Sequence, residues 1–367
     1  MSTTPPLPST REDLGTRLVL VTLLNLLIIG IVVVTLLASW PAPSPTSPAA
    51  LAPTPSQPAV TPTAPPTPEA PVATTPPPTT SPDGSWPPAT GEPPQVEVTE
   101  GDKLLVRYVP RLEADNPYAA QWRQAPWVPV SLLPQQMAMP MLKQGSLDEV
   151  RVQGLYDARS ISWRVSWKDP TADGNVDTGR FSDGVAIGFP LDPGAPATMG
   201  ADKLRVQILY WKALWQKDVD VGFQDVQSLH PNYWADLYWF AEGQFPYPVP
   251  AAFQQPAARQ WFIAHQAGNP MAAFSRTQPV EELVAEGWST LTHQPQAVTT
   301  GRGAWAKGTW AVVFTRPLKT TDPLDYTFVP GAPGQIVFAA WQGSAGNRGG
   351  RKQWSNWVDF SLEPSNP

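Results

Sequence analysis

A proline-rich segment divides this chain into a part that cannot build a core and a part that can. Residues 40–95 contain about 20 of the 47 prolines, mixed with Ala, Thr and Ser. Such a composition buries too little apolar surface to fold, so the segment is predicted to be a disordered to polyproline-II linker. The folded domain is therefore expected within residues 96–367, which also hold most of the 17 tryptophans.

An uncharged apolar run, residues 18–39, precedes the linker. Its length of about 22 residues matches the ~20 that a helix needs to cross a bilayer, whereas a cleaved signal peptide has about 7–15 apolar residues. Arg11 and Arg17 precede the run, and the next basic residue is Lys103. The positive-inside rule then predicts a single-pass anchor in the cell membrane, with residues 1–17 cytoplasmic and the rest extracytoplasmic. A cleaved signal peptide is the alternative.

The composition also limits the chemistry. The sequence has no cysteine, which excludes disulfides, thiolate metal sites and covalently attached c-type haem. A net charge of -6 argues against a nucleic-acid partner. No pattern of a nucleophilic triad, a P-loop or a paired-histidine metal site is found in the sequence. We therefore predict no catalytic residues and expect that the chain is not itself an enzyme.

Alternation of apolar and polar residues predicts an all-β fold beyond residue 96. Residues 161–167 show the period of two that is typical of a half-buried strand. Similar patterns occur at 103–109, 185–189, 206–211, 310–315 and 336–341. Turn residues separate these segments, so we predict an immunoglobulin-like or carbohydrate-binding-module-like β-sandwich with loop insertions. Residues 218–301 are expected to be mainly loop, with one short helix at 279–285, and Met137–Met141 a loop that packs on the core.

Two segments carry a more specific signal. The strand pattern 335–341 runs into the turn Trp341-Gln-Gly-Ser-Ala-Gly-Asn-Arg-Gly-Gly-Arg-Lys352, and the loop Asp192–Gly200 ends in Thr-Met-Gly shortly before a strand pattern that closes with Trp211-Lys212. Together with Trp167-x-Asp-Pro and residues 181–190, these motifs resemble a family over roughly residues 100–362. It is the family of haem b-binding gamma subunits of ethylbenzene dehydrogenase, dimethyl sulfide dehydrogenase, chlorate and selenate reductases, and nitrite oxidoreductase.

The resemblance implies one non-covalent haem b per chain, with the iron held between Met199 and Lys352. Arg348 and Arg351 are implied as partners of the haem propionates, since a guanidinium pairs well with a carboxylate. A lysine must lose its proton to bind iron, which costs about 4.6 kcal/mol at pH 7 from a reference pKa of ~10.4. A core methionine, a solvated surface lysine and a histidine as replacement ligand remain open; the histidines are His230, His265 and His293.

The resemblance further implies an electron-transfer subunit that works between a molybdopterin/iron–sulfur oxidoreductase and a respiratory cytochrome, for example of c type. The anchor and the linker depart from the usual exported gamma subunit, so the partner complex is left unspecified. An alternative of another class is a stalked carbohydrate- or ligand-binding module without haem. In it, the aromatic clusters at 233–234 and 238–240 would stack on sugars. A structural subunit that has lost its haem is a third interpretation.

Overall fold

The computed structural model describes residues 103–224, 226–230, 263–269, 272–273 and 275–364. The predicted anchor, the proline-rich linker and the aromatic clusters of 233–240 lie outside these residues. Among the helices in this part of the chain, none has both the length and the apolar character to cross a bilayer.

The described residues form fourteen strands and few helices. The strands are β1 (Leu104–Tyr108), β2 (Val128–Ser131), β3 (Leu133–Pro134), β4 (Glu149–Tyr156), β5 (Ser160–Lys168), β6 (Gly184–Pro190), β7 (Val206–Lys212), β8 (Val280–Ala285), β9 (Thr292–His293), β10 (Thr300–Ala306), β11 (Thr309–Pro317), β12 (Pro333–Trp341), β13 (Gln353–Trp354) and β14 (Val358–Leu362). The α-helices are α1 (Ala213–Val221), α2 (Val226–Leu229) and α3 (Ile263–Gln266), and single 3-10 turns occur at Ala120–Gln124 and Gly343–Ala345.

The strands follow one hydrogen-bonded path, β10-β11-β5-β4-β1-β14-β12-β6-β7-β8-β9. β2 adds to β4, while β13 joins β12 to β3. Pairing is antiparallel except that β1 runs parallel to both β14 and β4. Trp163 of β5 packs on Phe189 of β6 with ring centroids 6.0 Å apart, so the two halves of the path face each other as a sandwich. The predicted all-β class is confirmed.

The period of two in β7 separates a core face from an outer face. Leu209 and Trp211 are fully buried between the sheets, whereas Ile208, Tyr210 and Lys212 occupy the alternate positions. Burial of each large apolar side chain stabilises the fold by about 1.5–3 kcal/mol. The outer face, which is not needed for the core, is where a cavity lies.

The short helix predicted at 279–285 is wrong, because Val280–Ala285 form strand β8. β8 lies between β7 and β9, and all six of its residues are buried. Its two glutamates tolerate burial because they are paired: Arg276 donates to Glu281 Oε1 at 2.8 Å, and the Thr299 amide donates to Glu282 Oε1 at 2.7 Å. The expected loop of 218–301 therefore contains β8 and β9 as well.

Candidate functional site

A cavity of about 400 Å³ opens on the outer face of the sheet that contains β12, β6 and β7. Its floor is made of small residues at outward positions of these strands, Ala186, Gly188 and Ala339. Larger apolar and aromatic side chains form its walls, and parts of four loops, including Met137–Pro140 and Ala197–Met199, close its sides. A concave, mostly apolar space of this size is typical of a cofactor or small-molecule site.

Met199 reaches this cavity from the loop between β6 and β7. Its backbone has a φ of 73°, in the left-handed region that is uncommon for a residue with a side chain. The connection between β8 and β9 helps to hold this backbone, because the Gly287 amide donates to the Met199 carbonyl at 2.8 Å. At Gly200 a Cβ would lie 2.3 Å from the Leu204 carbonyl oxygen, so the next position requires glycine. Strain of this kind, of order 1–3 kcal/mol, is concentrated at functional sites.

Lys352 enters the same cavity from the turn that follows β12. Its backbone is held on both sides: its amide donates to the Gly350 carbonyl at 3.0 Å, and its carbonyl accepts from the Gln135 amide at 2.9 Å. Its Nζ lies 5.4 Å from the centroid of the Trp341 ring. Lys352 Nζ is 3.6 Å from Met199 Sδ. The fold thus brings the two predicted iron ligands together from distant parts of the chain.

Burial prepares this lysine for the neutral state. It lowers the pKa of Lys352 to about 8. Removing the proton at pH 7 then costs only about 1.4 kcal/mol, at 1.36 kcal/mol per pKa unit. An amine nitrogen and a thioether sulfur suit a transition metal rather than magnesium or calcium. The donor set and the apolar walls therefore fit a haem, whose iron Lys352 and Met199 would hold.

The two predicted propionate partners are placed differently. Arg348 and Arg351 are both exposed and neither lines the cavity. Arg348 donates from Nη1 to the Gly346 carbonyl at 2.7 Å, and its guanidinium carbon lies 4.2 Å from the centroid of the Phe181 ring. Their role toward a propionate stays a prediction.

The three histidines are all described, and none of them lines the cavity. His230 Nε2 is 2.8 Å from Asp177 Oδ2, His293 Nδ1 is 2.8 Å from Glu281 Oε2, and His265 Nδ1 is 2.9 Å from the Ala272 carbonyl. In this structure a histidine would need a substantial rearrangement to replace either Met199 or Lys352.

Lys212 is a cavity residue whose position was not predicted. Its Nζ lies 5.2 Å from the centroid of the Tyr210 ring and 5.0 Å from that of Trp215. Burial, together with the positive charge of Arg276, lowers the pKa of Lys212 to about 8. The available signal was the period of two in β7, which puts Lys212 on the same face as Tyr210.

The methionine loop at 137–141 covers the cavity, so the prediction that it packs on the core is wrong. Met137 and Met139 line the cavity and are 47% and 80% exposed. Gln135 holds the loop there, because its Nε2 donates to the carbonyls of Ala138 at 2.8 Å and Gly350 at 2.9 Å. One buried glutamine thus joins the methionine loop to the turn that carries Lys352.

A family comparison decides the identity. The family model described as ethylbenzene dehydrogenase matches residues 119–353, which is more than half of the chain and includes both Met199 and Lys352. The chain belongs to the ethylbenzene dehydrogenase family. The resemblance seen in the Thr-Met-Gly loop and the Gly-Gly-Arg-Lys turn is thereby confirmed.

Two relatives carry names that bear on the cofactor. A protein of Haloferax mediterranei, provisionally named respiratory nitrate reductase heme subunit ORF7, is 23% identical over 255 residues, or 69% of this chain and 70% of that protein. The chlorate reductase subunit gamma of Ideonella dechloratans is 31% identical over 109 residues, or 28% of this chain and 44% of that subunit. The chain thus spans less than half of the second relative.

Similar solved structures have low scores. A family 9 carbohydrate-binding module of Caldicellulosiruptor kristjanssonii in complex with cellotriose has a TM-score of 0.31 and 6% identity, and covers 72% of this chain and 95% of its own. A protein of Bacteroides uniformis, provisionally described as carbohydrate-binding, has a TM-score of 0.35 and 8% identity, and covers 71% of this chain and 99% of its own. Likeness at this level carries no argument about function.

Proposed function

We propose that this protein is a membrane-tethered, extracytoplasmic haem b electron-transfer subunit. It holds one non-covalent haem between Met199 and Lys352 and relays electrons between a molybdopterin/iron–sulfur oxidoreductase and a respiratory cytochrome. It performs no substrate chemistry of its own. The observation that carries the proposal is the approach of Lys352 Nζ to Met199 Sδ, 3.6 Å apart in one largely apolar cavity.

Haem, when bound, supplies a one-electron couple, and the residues of the chain set how that couple behaves. The thioether of Met199 favours ferrous iron and so raises the potential. Lys352 acts as a neutral amine, and the burial that lowers its pKa to about 8 favours that state. Apolar residues such as Val337 and Ile208 keep water from the site.

An exposed apolar rim gives a redox partner a surface to approach. Met139, Trp288 and Leu291 line the cavity and are between 50% and 80% exposed. Trp288 is fixed in this position, since its indole N–H donates to the Thr198 carbonyl at 3.0 Å, next to Met199. A partner at this rim would come close to the haem without entering the sandwich.

The sequence pattern supports the tether, and the names of the relatives support the partner. A helix at 18–39 would anchor the chain, and the linker at 40–95, if fully extended at ~3.1 Å per residue, would span up to roughly 170 Å. The names of the two relatives, subunits of a nitrate and a chlorate reductase, support an oxidoreductase complex as the partner.

The test is an absorption spectrum of the full chain, produced with an adequate haem supply and purified in mild detergent. We expect a sharp low-spin b-type α-band on reduction and one haem per chain. Acid acetone should extract the haem completely, because the chain has no cysteine to attach it. A folded protein that takes up no haem would contradict the proposal and favour the ligand-binding module or the structural subunit.

A further inference from the structure

Three buried or half-buried carboxylates form a cluster apart from the cavity. Asp169 follows β5, Asp173 lies in the next turn, and Asp183 immediately precedes β6. One carboxylate oxygen from each lies within 4.8 Å of the oxygens offered by the other two. Asp169 belongs to the motif Trp167-x-Asp-Pro, none of whose residues lines the cavity, and Asp183 precedes the strand that supplies Ala186 and Gly188 to the cavity floor.

Within the hydrogen-bond network of the cluster, one fully buried carboxylate oxygen accepts no hydrogen bond of ordinary geometry. Asp183 accepts from the Trp310 indole N–H at 2.9 Å, from the Asp173 amide at 2.7 Å and from the Gly343 amide at 2.7 Å. Asp173 Oδ2 accepts from the Ser344 amide at 3.0 Å. Asp169 is 0% exposed; its Oδ2 accepts no hydrogen bond of ordinary geometry among the described residues, and the nearby Trp167 indole N–H is likewise unpaired. A buried carboxylate oxygen of this kind costs free energy unless a cation or a donor satisfies it.

The electrostatic environment of the three carboxylates also favours a bound cation. Burial first, and then the negative charge of Asp169, raise the pKa of Asp183 to about 8. Burial also raises the pKa of Asp169, and Asp173 adds to this. Asp183 accepts hydrogen bonds from two backbone amides and from an indole N–H, and these donors favour its anionic form. The cluster therefore offers carboxylate ligands to a cation. Among the described residues, the charges that act on Asp169 and Asp183 are those of neighbouring carboxylates, so no positive charge balances them.

We propose that Asp169, Asp173 and Asp183 bind one divalent calcium ion. Calcium takes oxygen ligands at 2.3–2.6 Å, so two ligands on one ion lie up to about 5 Å apart, as found here. The set contains oxygen only, which suits a hard cation rather than zinc or iron. The ion would complete the coordination that Asp169 Oδ2 lacks. This proposal does not depend on the proposed haem function.

The site would also support the turn that carries Lys352. The amides of Gly343 and Ser344, and the Gln342 side chain, donate into the three carboxylates. These residues follow β12 directly, within the turn that ends at Lys352. A bound ion would keep all three carboxylates charged and so strengthen these donations.

The experiment uses the full chain after EDTA treatment and exchange into metal-free buffer at neutral pH. Calcium is titrated by calorimetry, and the thermal unfolding midpoint is followed against calcium concentration. We expect one calcium per chain, a midpoint that rises with the logarithm of calcium concentration, and slower exchange of the Gly343 and Ser344 amides. Magnesium is the comparison ion and should bind more weakly, since it prefers a smaller octahedral site.

The Asp169→Asn variant distinguishes a bound cation from a proton shared between the carboxylates, because its effect on the unfolding temperature should change sign when calcium is added. Without calcium, the variant should unfold at a higher temperature than the parent, because one like charge is gone. With calcium it should unfold at a lower temperature, and calcium should bind about tenfold or more weakly. If Asp169→Asn prevents folding, the half-buried Asp173→Asn takes its place. Asp148→Asn, at an exposed carboxylate outside the cluster, is the control and should bind as the parent does.

A folded parent that shows no heat and no midpoint shift with either ion would overturn the proposal. So would an Asp169→Asn variant that is more stable than the parent at every calcium concentration, because the cluster would then be held by a proton.

Discussion

At the scale of single residues, the site depends on a lysine that the fold holds at a cost. Lys352 is drawn into an apolar cavity, and burial lowers its pKa from 10.5 to about 8. The Trp341 ring, 5.4 Å from Nζ, offsets part of that cost. A side chain that destabilises the haem-free protein and yet lies against a potential iron ligand is more readily explained by function than by folding.

This cost predicts a pH-dependent gain in stability for Lys352→Met. Below pH 8 the lysine is protonated in both the folded and the unfolded state, and burial of its charge destabilises the fold in full. Between pH 8 and 10.5 the unfolded chain binds more protons than the folded one, so stability rises with pH and this destabilisation disappears. The haem-free variant should therefore be more stable than the parent by about 1–3 kcal/mol at pH 7, after allowance for partial exposure, and equally stable near pH 10.5. Denaturant unfolding measures both.

The control for this comparison is Lys168→Met, at an exposed residue at the end of β5. Its free energy of unfolding should stay within about 0.5 kcal/mol of the parent at each pH. A loss of stability in Lys352→Met at pH 7 would show that the lysine is not held in a costly environment.

Sequence reasoning found these residues unevenly. Met199 and Lys352, which the structure brings together in the cavity, are predicted through the family resemblance that their two local motifs carry, and their role as ligands stays a prediction. The cavity loop at 137–141 is not predicted, since its contribution comes from long-range contacts such as that between Gln135 and Gly350, 215 positions apart. No periodicity in the sequence reports such a contact.

At the scale of elements, alternation along β12 separates the cavity from the core. Ala339 faces outward into the cavity, while Ala340 faces inward and is 1% exposed. Alternation of this kind is readable from sequence, and it correctly placed β5, β6, β7 and β11. It failed at β8, where a short helix is predicted at 279–285; Glu281 and Glu282 interrupt the alternation there, and their burial depends on partners distant in the sequence, such as Thr299 for Glu282. Two-residue strands such as β13 carry too little pattern to be predicted.

Two adjacent substitutions on β12 should therefore have opposite effects. Ala339→Phe should fill the floor of the cavity and prevent haem uptake, while the free energy of unfolding of the haem-free protein changes by less than about 1 kcal/mol. Ala340→Phe should overpack the core and cost about 1–3 kcal/mol. Haem titration and denaturant unfolding of both variants measure this. Undiminished haem uptake by Ala339→Phe would place the haem elsewhere.

At the scale of the whole molecule, we expect a folded domain that is preceded by a protease-sensitive linker. Protease added to intact cells or spheroplasts should cut within residues 40–95 and release a fragment that retains its fold and its haem. The reason is that the linker composition disfavours folding, whereas the described residues from Leu104 onward form the strands of the sandwich. A mature N-terminus between residues 38 and 42, found by mass spectrometry, would instead show a cleaved signal peptide and exclude the tether.

The central claim is that Met199 and Lys352 are the two axial ligands of one haem. The most direct measurement is the reduced and oxidised absorption spectrum, with the reduction potential, of the haem-loaded protein carrying Met199→Ala, Lys352→Ala or Lys352→Arg. Met199→Ala should lower the potential and favour high-spin iron, since the soft ligand is lost. Both lysine variants should lose the parent low-spin spectrum alike, because a guanidinium stays protonated and offers no lone pair. Met141→Ala and Lys168→Ala, at exposed residues outside the cavity lining, should keep the parent spectrum. An unchanged low-spin spectrum and potential in Met199→Ala or Lys352→Ala would contradict the assignment of that residue.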